Sequence, residues 1–426
     1  MLDIRLLREN PDLVKERINA RGGDVSSTVD EILECDVTRR AAETSKQELQ
    51  AERKSTSKQI GALKQKGEDT SEIETQVREI GDKIKAIGEN ADAADARQRE
   101  LLLALPNLPH ADCPVGDSED DNPTIREWGE QTKFDGFEPK DHVALGEELG
   151  LFSFDLATKI SSSGFIAFTG AGAKLQRSLI QFLLNLHTEE HGYNEVAPPV
   201  IVNRDCMFGT GQLPKFEDDM YGIEDNQHFL VPTAEVPVTN LFREQIVDPK
   251  EFPIKTTAYT PCFRREAGSA GRESRGMIRM HQFDKVELVN IVHPDDSMAQ
   301  LEKLTAEAEK ALQLLGLHYR TIELCTGDLG NSSVKTYDIE VWAPGHGGYL
   351  EVSSCSNFND WQARRMNLRY KDAETGKNTP AHTLNGSGTA LPRLYVAFIE
   401  TYQQADGSIL IPEVLQPYMG TDRISA

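Results

Sequence analysis

The sequence has no apolar run approaching the ~20 residues that a membrane-spanning helix needs. Its first residues, MLDIRLLRENPDLV, alternate apolar and charged and hold no continuous apolar core of the kind a secretory signal carries. Cysteine is sparse. The six cysteines, at 35, 113, 206, 262, 325 and 355, form no CxxC pair, and none stands at zinc-ligand spacing with the ten histidines. Scattered single cysteines predict reduced structural thiols in a cytoplasmic protein, with no zinc. Positive charge is short as well. Against 69 Asp and Glu the 426-residue chain sets 46 Lys and Arg, a formal net charge of −23. That balance argues against nucleic-acid binding by the whole surface and leaves room for a local basic patch. Also missing are GxGxxG after a strand, GxxxxGK[ST], GxSxG and HExxH. Two common nucleotide-binding frameworks, the serine-hydrolase elbow and the zinc-protease helix therefore have no support.

What is present divides into two textures. From about 28 to 105 there is no proline and little aromatic content. Ile73, Val77, Ile80, Ile84 and Ile87 are spaced 4-3-4-3, continued by Ala91 and Ala94, which makes an apolar seam on a helix. A patchier seam of Val29, Ile32, Leu33, Val37, Leu49, Ile60 and Leu63 precedes it, interrupted by Ser45, Glu52 and Thr56. KQKGED (64–69) separates the two and predicts a long antiparallel helical hairpin with its tip near Gly67. Arms of about 35 to 40 residues extend roughly 50–60 Å. Between Lys46 and Lys66 the hairpin carries Lys46, Arg53, Lys54, Lys58, Lys64 and Lys66 against only Glu48 and Glu52. Such a run is either a solvated helix face or, on this acidic background, a surface for a polyanion. Before the arm, Asn10 and Pro11 predict a helix start, with Asn10 as its N-cap. After it, the four prolines and acidic cluster of 105–129 predict a linker.

From about 130 onward strands and helices mix. Strands are expected in HFLVPTAEVP, KTTAYTPCFR, HQFDKVELVNIV, YRTIELCT, KTYDIEVWAP and YLEVSSCSNF. Helices are expected near 172–190, 235–246, 294–316 and at PRLYVAFIETYQ. Consecutive strands with helices to one side predict an α+β fold on an antiparallel-dominated sheet. Within it, PCFRREAGSAGRESRGMIRMHQFDKVE (261–287) stands out for its arginines and glycines. Arg264 and Glu266, two apart at a strand end, share a face, and Arg279, His281, Phe283, Lys285 and Glu287 alternate onto one side. Cations, a flat aromatic and acids suit a nucleotide; a surface hairpin with charged cross-strand pairs uses the same residues. EVSS (351–354) offers oxygens for Mg²⁺, with Glu351 and Ser353 on one side and Val352 and Ser354 on the other unless a bulge intervenes. Arg393, after the loop LNGSG, either meets phosphates at a helix start or caps a surface turn. Thr233 and Glu235 lie on one side of an extended segment where both can accept from an ammonium.

Three of these segments, in order, resemble the signature motifs of class II aminoacyl-tRNA synthetases: GYNEVAPPVIVN the first, FRREAGSAGRESRGMIRMHQFDKVE the second and NGSGTALPRLYVAFIE the third. With the N-terminal hairpin, the whole chain is similar to the seryl-tRNA synthetase family of bacterial type. The resemblance implies a tRNA-binding region over 1–110, a linker over 111–129 and a class II catalytic domain over 130–426. It implies a homodimer that activates L-serine with ATP and Mg²⁺ to seryl-adenylate. The seryl group then passes to tRNA(Ser), and to tRNA(Sec) where present. By position, Arg264 falls on the ATP α-phosphate with Arg265 also beside the nucleotide, Glu266 near adenine, Phe283 stacked on adenine opposite Arg393, and Arg393 on the γ-phosphate. Arg279 falls on the serine carboxylate, Thr233, Ala234 and Glu235 around the ammonium, and Glu287 and Ser387 on the hydroxyl. Glu351 and Ser354 fall on Mg²⁺, with Val352, Ser353 and the backbone of Met280 beside the nucleotide. Arg272 and Arg275 are expected to meet pyrophosphate oxygens or the tRNA end. Ser387 stands where the family uses Ser or Thr, and Pro392 is a less usual neighbour for Arg393. Two other functions fit parts of the pattern: a ligase that charges a carrier protein, and a coiled-coil binding protein on a nucleotide-sensing domain. Serine-dependent ATP–pyrophosphate exchange and a tRNA-charging assay separate the three.

Overall fold

The computed structural model describes residues 1–267 and 275–425. The chain forms two compact units: one of 2–19 and 23–105, the other of 106–426 with residues 1 and 20–22.

The smaller unit is built on two helices, α1 (Ser26–Lys66) and α2 (Ser71–Ala104). Gly67 closes α1 at φ 74°, ψ 19°, a left-handed cap that glycine adopts without penalty, so the hairpin turns where the sequence placed its tip. The regular seam holds: Ile80 and Ala91 are buried and Ile73, Val77, Ile84, Ile87 and Ala94 are half-buried. The patchier seam departs in two ways. Val37 is exposed, while the interrupting Thr56 is buried. Beside Val37, Asp36 is buried instead and holds Arg8, Arg39 and Arg40 at 2.9–3.2 Å. Buried carboxylates are held only when paired in this way. Pro11 does begin a helix, Pro11–Asn19. Asn10, however, caps the C-terminus of the preceding helix, Ile4–Glu9.

The larger unit is organised by an eight-stranded sheet. Its strands are β1 (Thr124–Trp128), β2 (Asn194–Glu195), β3 (Ile254–Phe263), β4 (Gln282–Val292), β5 (Tyr319–Glu323), β6 (Lys335–Ala343), β7 (Gly348–Asn357) and β8 (His382–Ala390). The order is β1-β5-β6-β7-β8-β4-β3-β2, antiparallel except for the short β2–β3 pair. β1 lies inside the stretch expected to be a linker. His228–Leu230 is shorter than expected, and the helix expected near 235–246 forms as the short Glu235–Asn240, so Glu235 opens a helix instead of ending the strand expected over 228–237.

Alternation gives the sheet two unlike faces. Val286, Leu288, Ile339, Val341, Leu350, Val352 and Leu384 join the core with helices α3 (Gly170–Asn185), α4 (Ser297–Leu314) and α5 (Leu391–Thr401). α3 buries Leu175, Leu179, Phe182 and Leu183, the i, i+4, i+7, i+8 stripe of a helix docked on one side. Each such side chain contributes about 1.5–3 kcal/mol on burial. The opposite face presents Phe283, Lys285, Glu287, Asp338, Glu340, Asn385 and Ser387 to a cavity. A sheet with one greasy and one polar face, backed by helices on the first, leaves the second for chemistry.

Candidate active site

The cavity on the polar face has a volume of about 860 Å³. Thr233, Glu235, Arg264, Glu266, Arg279, Met280, Phe283, Glu287, Glu351, Ser354, Ser387 and Arg393 all line it, so residues up to 160 positions apart meet in one place.

Two β-bulges set which side chains face inward. Opposite β4, the pairing passes from Val286↔Thr389 to Glu287↔Ser387, leaving Gly388 unpaired. Glu287 and Ser387 thereby become direct cross-strand neighbours. Opposite β6, it passes from Ile339↔Ser353 to Glu340↔Glu351, leaving Val352 over. A bulge resets the side-chain alternation. Glu351 thus shares the cavity face with Ser354, while Val352 turns into the core and Ser353 is buried, donating to the Ser387 carbonyl at 2.6 Å. Val352 and Ser353 therefore present no side chain to the cavity. Ala234 is likewise buried in a small apolar cluster, and Arg265 is exposed.

At one end, Glu287 is buried at 1% exposure and already engaged by three donors. Its Oε1 accepts from Asn385 Nδ2 at 3.0 Å and its Oε2 from Thr233 Oγ1 at 3.2 Å, and Lys285 is its ion-pair partner. Lys285 Nζ also donates to Thr233 Oγ1 at 2.9 Å. Nearby, Glu235 opens its short helix with its N–H on Thr233 Oγ1 and its Oε1 on Gln362 Nε2 at 2.6 Å. Burial, reinforced by the charge of Glu287, pushes the Glu235 carboxyl up to about 7.

Arginines occupy the rest. β3 ends at Phe263, so Arg264 and Glu266 follow the strand instead of alternating along it, and Glu266 has a left-handed φ of 52°. The Arg264 guanidinium covers the Phe283 ring at 5.1 Å from its centroid. Arg279 Nη1 meets Glu266 Oε2 at 3.0 Å, while Arg279 Nε is buried without a partner among the described residues. Arg393 spans the Ile278 carbonyl, the Glu351 carbonyl and, at 3.2 Å, Glu351 Oε2. His281 departs from the expected row. It packs on Phe165, and its Nδ1 lies 3.1 Å from the Arg264 carbonyl. Arg275 pairs with Asp141, and Arg272 lies outside the described residues.

The sequence reading missed Asp338, Asn385 and Gln362. Asp338 is paired with Ser354 across β6 and β7, and one of its buried oxygens, Oδ1, has no partner among the described residues. Burial, then the charge of Glu351, raises its carboxyl well above the usual range. Two carboxylates, one of them with an unsatisfied buried oxygen, and a hydroxyl on one face suit a divalent cation that also binds phosphates. The polar alternation of KTYDIE marked Asp338 as facing away from the core, but only the register with β7 places it beside Ser354.

A sequence model of the "Seryl-tRNA synthetase N-terminal domain" matches residues 1–109. One of the "tRNA synthetase class II core domain (G, H, P, S and T)" matches residues 215–402. The serine–tRNA ligase of Akkermansia muciniphila is 64% identical over 424 residues, covering 100% of this chain and 99% of that protein. The chain belongs to the seryl-tRNA synthetase family. As a member it is an aminoacyl-tRNA-forming ligase. The antiparallel α+β fold agrees with that family throughout. The seryl-tRNA synthetase of Pyrococcus horikoshii, solved with ATP, superposes with a TM-score of 0.95 at 38% identity, covering 100% of this chain and 99% of that one. The cytoplasmic serine–tRNA ligase of Naegleria fowleri, solved with AMP, superposes at 0.90 with 27% identity over 100% of this chain and 99% of that one. Among the described residues no helix is long and apolar enough to cross a membrane.

Proposed function

We propose that the cavity activates L-serine at the Glu287–Ser387 end and binds ATP along the arginines. The observation that carries this reading is the buried cross-strand pair of Glu287 and Ser387 in one cavity with the guanidiniums of Arg264, Arg279 and Arg393. Glu287 and Ser387 hydrogen-bond the serine hydroxyl, Glu235 and Thr233 take the ammonium, and Arg279, with its partnerless Nε, takes the carboxylate. Arg264 and Arg393 hold phosphates, Phe283 offers its ring to adenine, and Glu266 lies at the adenine end. The ATP bound in the Pyrococcus horikoshii protein supports the nucleotide assignment.

The serine carboxylate attacks the α-phosphorus in line. The bond to the bridging oxygen breaks and pyrophosphate leaves with its electron pair. The terminal adenosine 3′-hydroxyl of the tRNA then attacks the seryl carbonyl, and AMP departs. No side chain becomes covalent; the protein contributes alignment and fixed positive charge. Glu351 and Ser354, with Asp338 beside them, would hold Mg²⁺, which neutralises phosphate charge when bound. Discrimination follows from burial. Alanine, which lacks the hydroxyl, leaves Glu287 and Ser387 without that hydrogen-bond partner, a cost worth roughly 10⁴-fold.

In this reading residues 1–110, with the hairpin, grip tRNA(Ser), and tRNA(Sec) where present; 111–129 connect, their last residues already joining the sheet as β1; 130–426 catalyse. The basic residues near the hairpin tip support the tRNA role. A cytoplasmic homodimer joined through the first motif completes the reading, supported by the edge position of β2 and the exposed Ile201 just after it. Serine-dependent ATP–pyrophosphate exchange tests the site. Glu287→Ala is expected to abolish the serine dependence while ATP affinity changes by less than about threefold. An unaltered exchange rate removes Glu287 from the serine site.

A further inference from the structure

We propose that a buried His142–Glu400 pair is the positioning device that fixes Arg279 and Arg393 in the site by docking the backbone of residues 275–278. The proposal rests on the site reading above for the roles of those arginines.

Glu400 is fully buried and lies two helical turns after Arg393 on α5, so the two share a side of that helix. Its carboxylate is saturated by four donors. Oε1 accepts the backbone N–H of His142 at 2.8 Å and stands 3.1 Å from His142 Nδ1. Oε2 accepts the N–H groups of Gly345 and His346, both at 2.9 Å, in the turn that leads into β7 and thus to Glu351. One side chain therefore ties together the helix of Arg393, the strand of Glu351 and the residue His142.

His142 extends the tie to the second motif. Its ring, 2% exposed, accepts the Met277 N–H on Nε2 at 3.3 Å. A backbone N–H can only donate, so Nε2 carries no proton and Nδ1–H donates to Glu400. The tautomer is thereby fixed from both sides. Gly276 presses against the same ring at φ +63°, and a Cβ there would stand 2.0 Å from Nε2. Arg275 adds an ion pair to Asp141, next to His142. Beyond Met277, the Ile278 carbonyl accepts from Arg393 Nε and Arg279 enters the cavity. The neighbouring backbone is docked as well: Gln403 receives the Lys140 N–H at 2.8 Å and donates to the Lys140 carbonyl. A residue that touches no substrate but fixes the backbone beside two that do acts on binding geometry.

The test uses full-length protein and two readouts: the serine KM and kcat in pyrophosphate exchange, and hydrogen exchange of the amides at 275–280. His142→Asn keeps a donor near Glu400 but cannot reach Met277. His142→Gln places its amide oxygen where Nε2 stood. His142→Asn is expected to raise the serine KM about tenfold, the worth of one hydrogen bond, with a smaller change in kcat and loss of Met277 amide protection. His142→Gln is expected to recover KM to within about threefold, with protection kept. A folded His142→Asn with unchanged KM overturns the proposal, as does an equal loss in both variants. Should His142→Asn fail to fold, Gly276→Ala carries the same expected KM rise, and no rise overturns it. Arg279→Ala is the control: if it leaves the serine KM unchanged, the site reading fails, and the Met277 amide comparison alone then decides the docking.

Discussion

At the scale of single residues, the site works through groups held against their usual preferences. Glu235 is the plainest case, its carboxyl pushed up to about 7 by burial and by Glu287. The neutral form is favoured in the fold, whereas an unfolded glutamate titrates near 4.3, roughly the model-peptide value. Between those values the native state keeps a proton that the unfolded chain releases. The contribution to stability is therefore full below the window and declines as pH rises through it. Binding an ammonium requires the opposite, ionised form. We expect kcat/KM for serine to rise as pH increases through about 7, and Glu235→Gln to lose that limb along with most serine affinity. A wild-type profile flat from about pH 6 to 8 would contradict the role.

At the scale of elements, the hairpin has little core of its own. Its buried apolar residues are confined to Val29, Ile32, Ala42, Ile80, Ala91, Leu101 and Leu102. Replacing residues 30–100 by a short Gly-Ser turn is expected to leave pyrophosphate exchange within about threefold and to abolish tRNA charging. Normal charging by the truncated protein refutes the arm as tRNA reader. The elements also show how far the sequence could be read. The 4-3-4-3 spacing of Ile73 to Ile87 specifies a helix seam by local geometry, and the alternation of 282–292 specifies a strand the same way. Glu351 beside Ser354, and Glu287 opposite Ser387, depend on bulges at Val352 and Gly388, which exist only once strands distant in sequence are paired. Asp338 and Gln362 were missed for the same reason. The Thr233–Glu235 pair was right as a neighbourhood but wrong in backbone, because the Thr233 hydroxyl caps the turn into a helix.

At the scale of the whole molecule, a net charge of −23 repels a tRNA, and the exposed basic residues of the hairpin tip oppose that repulsion locally. Counterion release makes phosphate contacts steeply salt-dependent, while a buried, small-molecule site is screened far less. Raising NaCl from about 50 to 200 mM should lower kcat/KM for tRNA charging by at least about tenfold and change pyrophosphate exchange by less than about twofold. Equal salt sensitivity of the two reactions would mean that the tip makes no phosphate contacts.

Two of the site's guanidiniums already have carboxylate companions: Arg279 with Glu266 and Arg393 with Glu351. If Arg393 takes a phosphate as proposed, that capture is an exchange equilibrium and not a simple addition, because Glu351 must release the guanidinium. A ligand bringing only negative charge takes the arginine and strands Glu351. A ligand bringing an anion together with its counter-cation satisfies both partners in one event. In the proposed complex the resting ion pairs would thus act as a filter on stoichiometry, favouring complete charge-balanced ligands over their fragments.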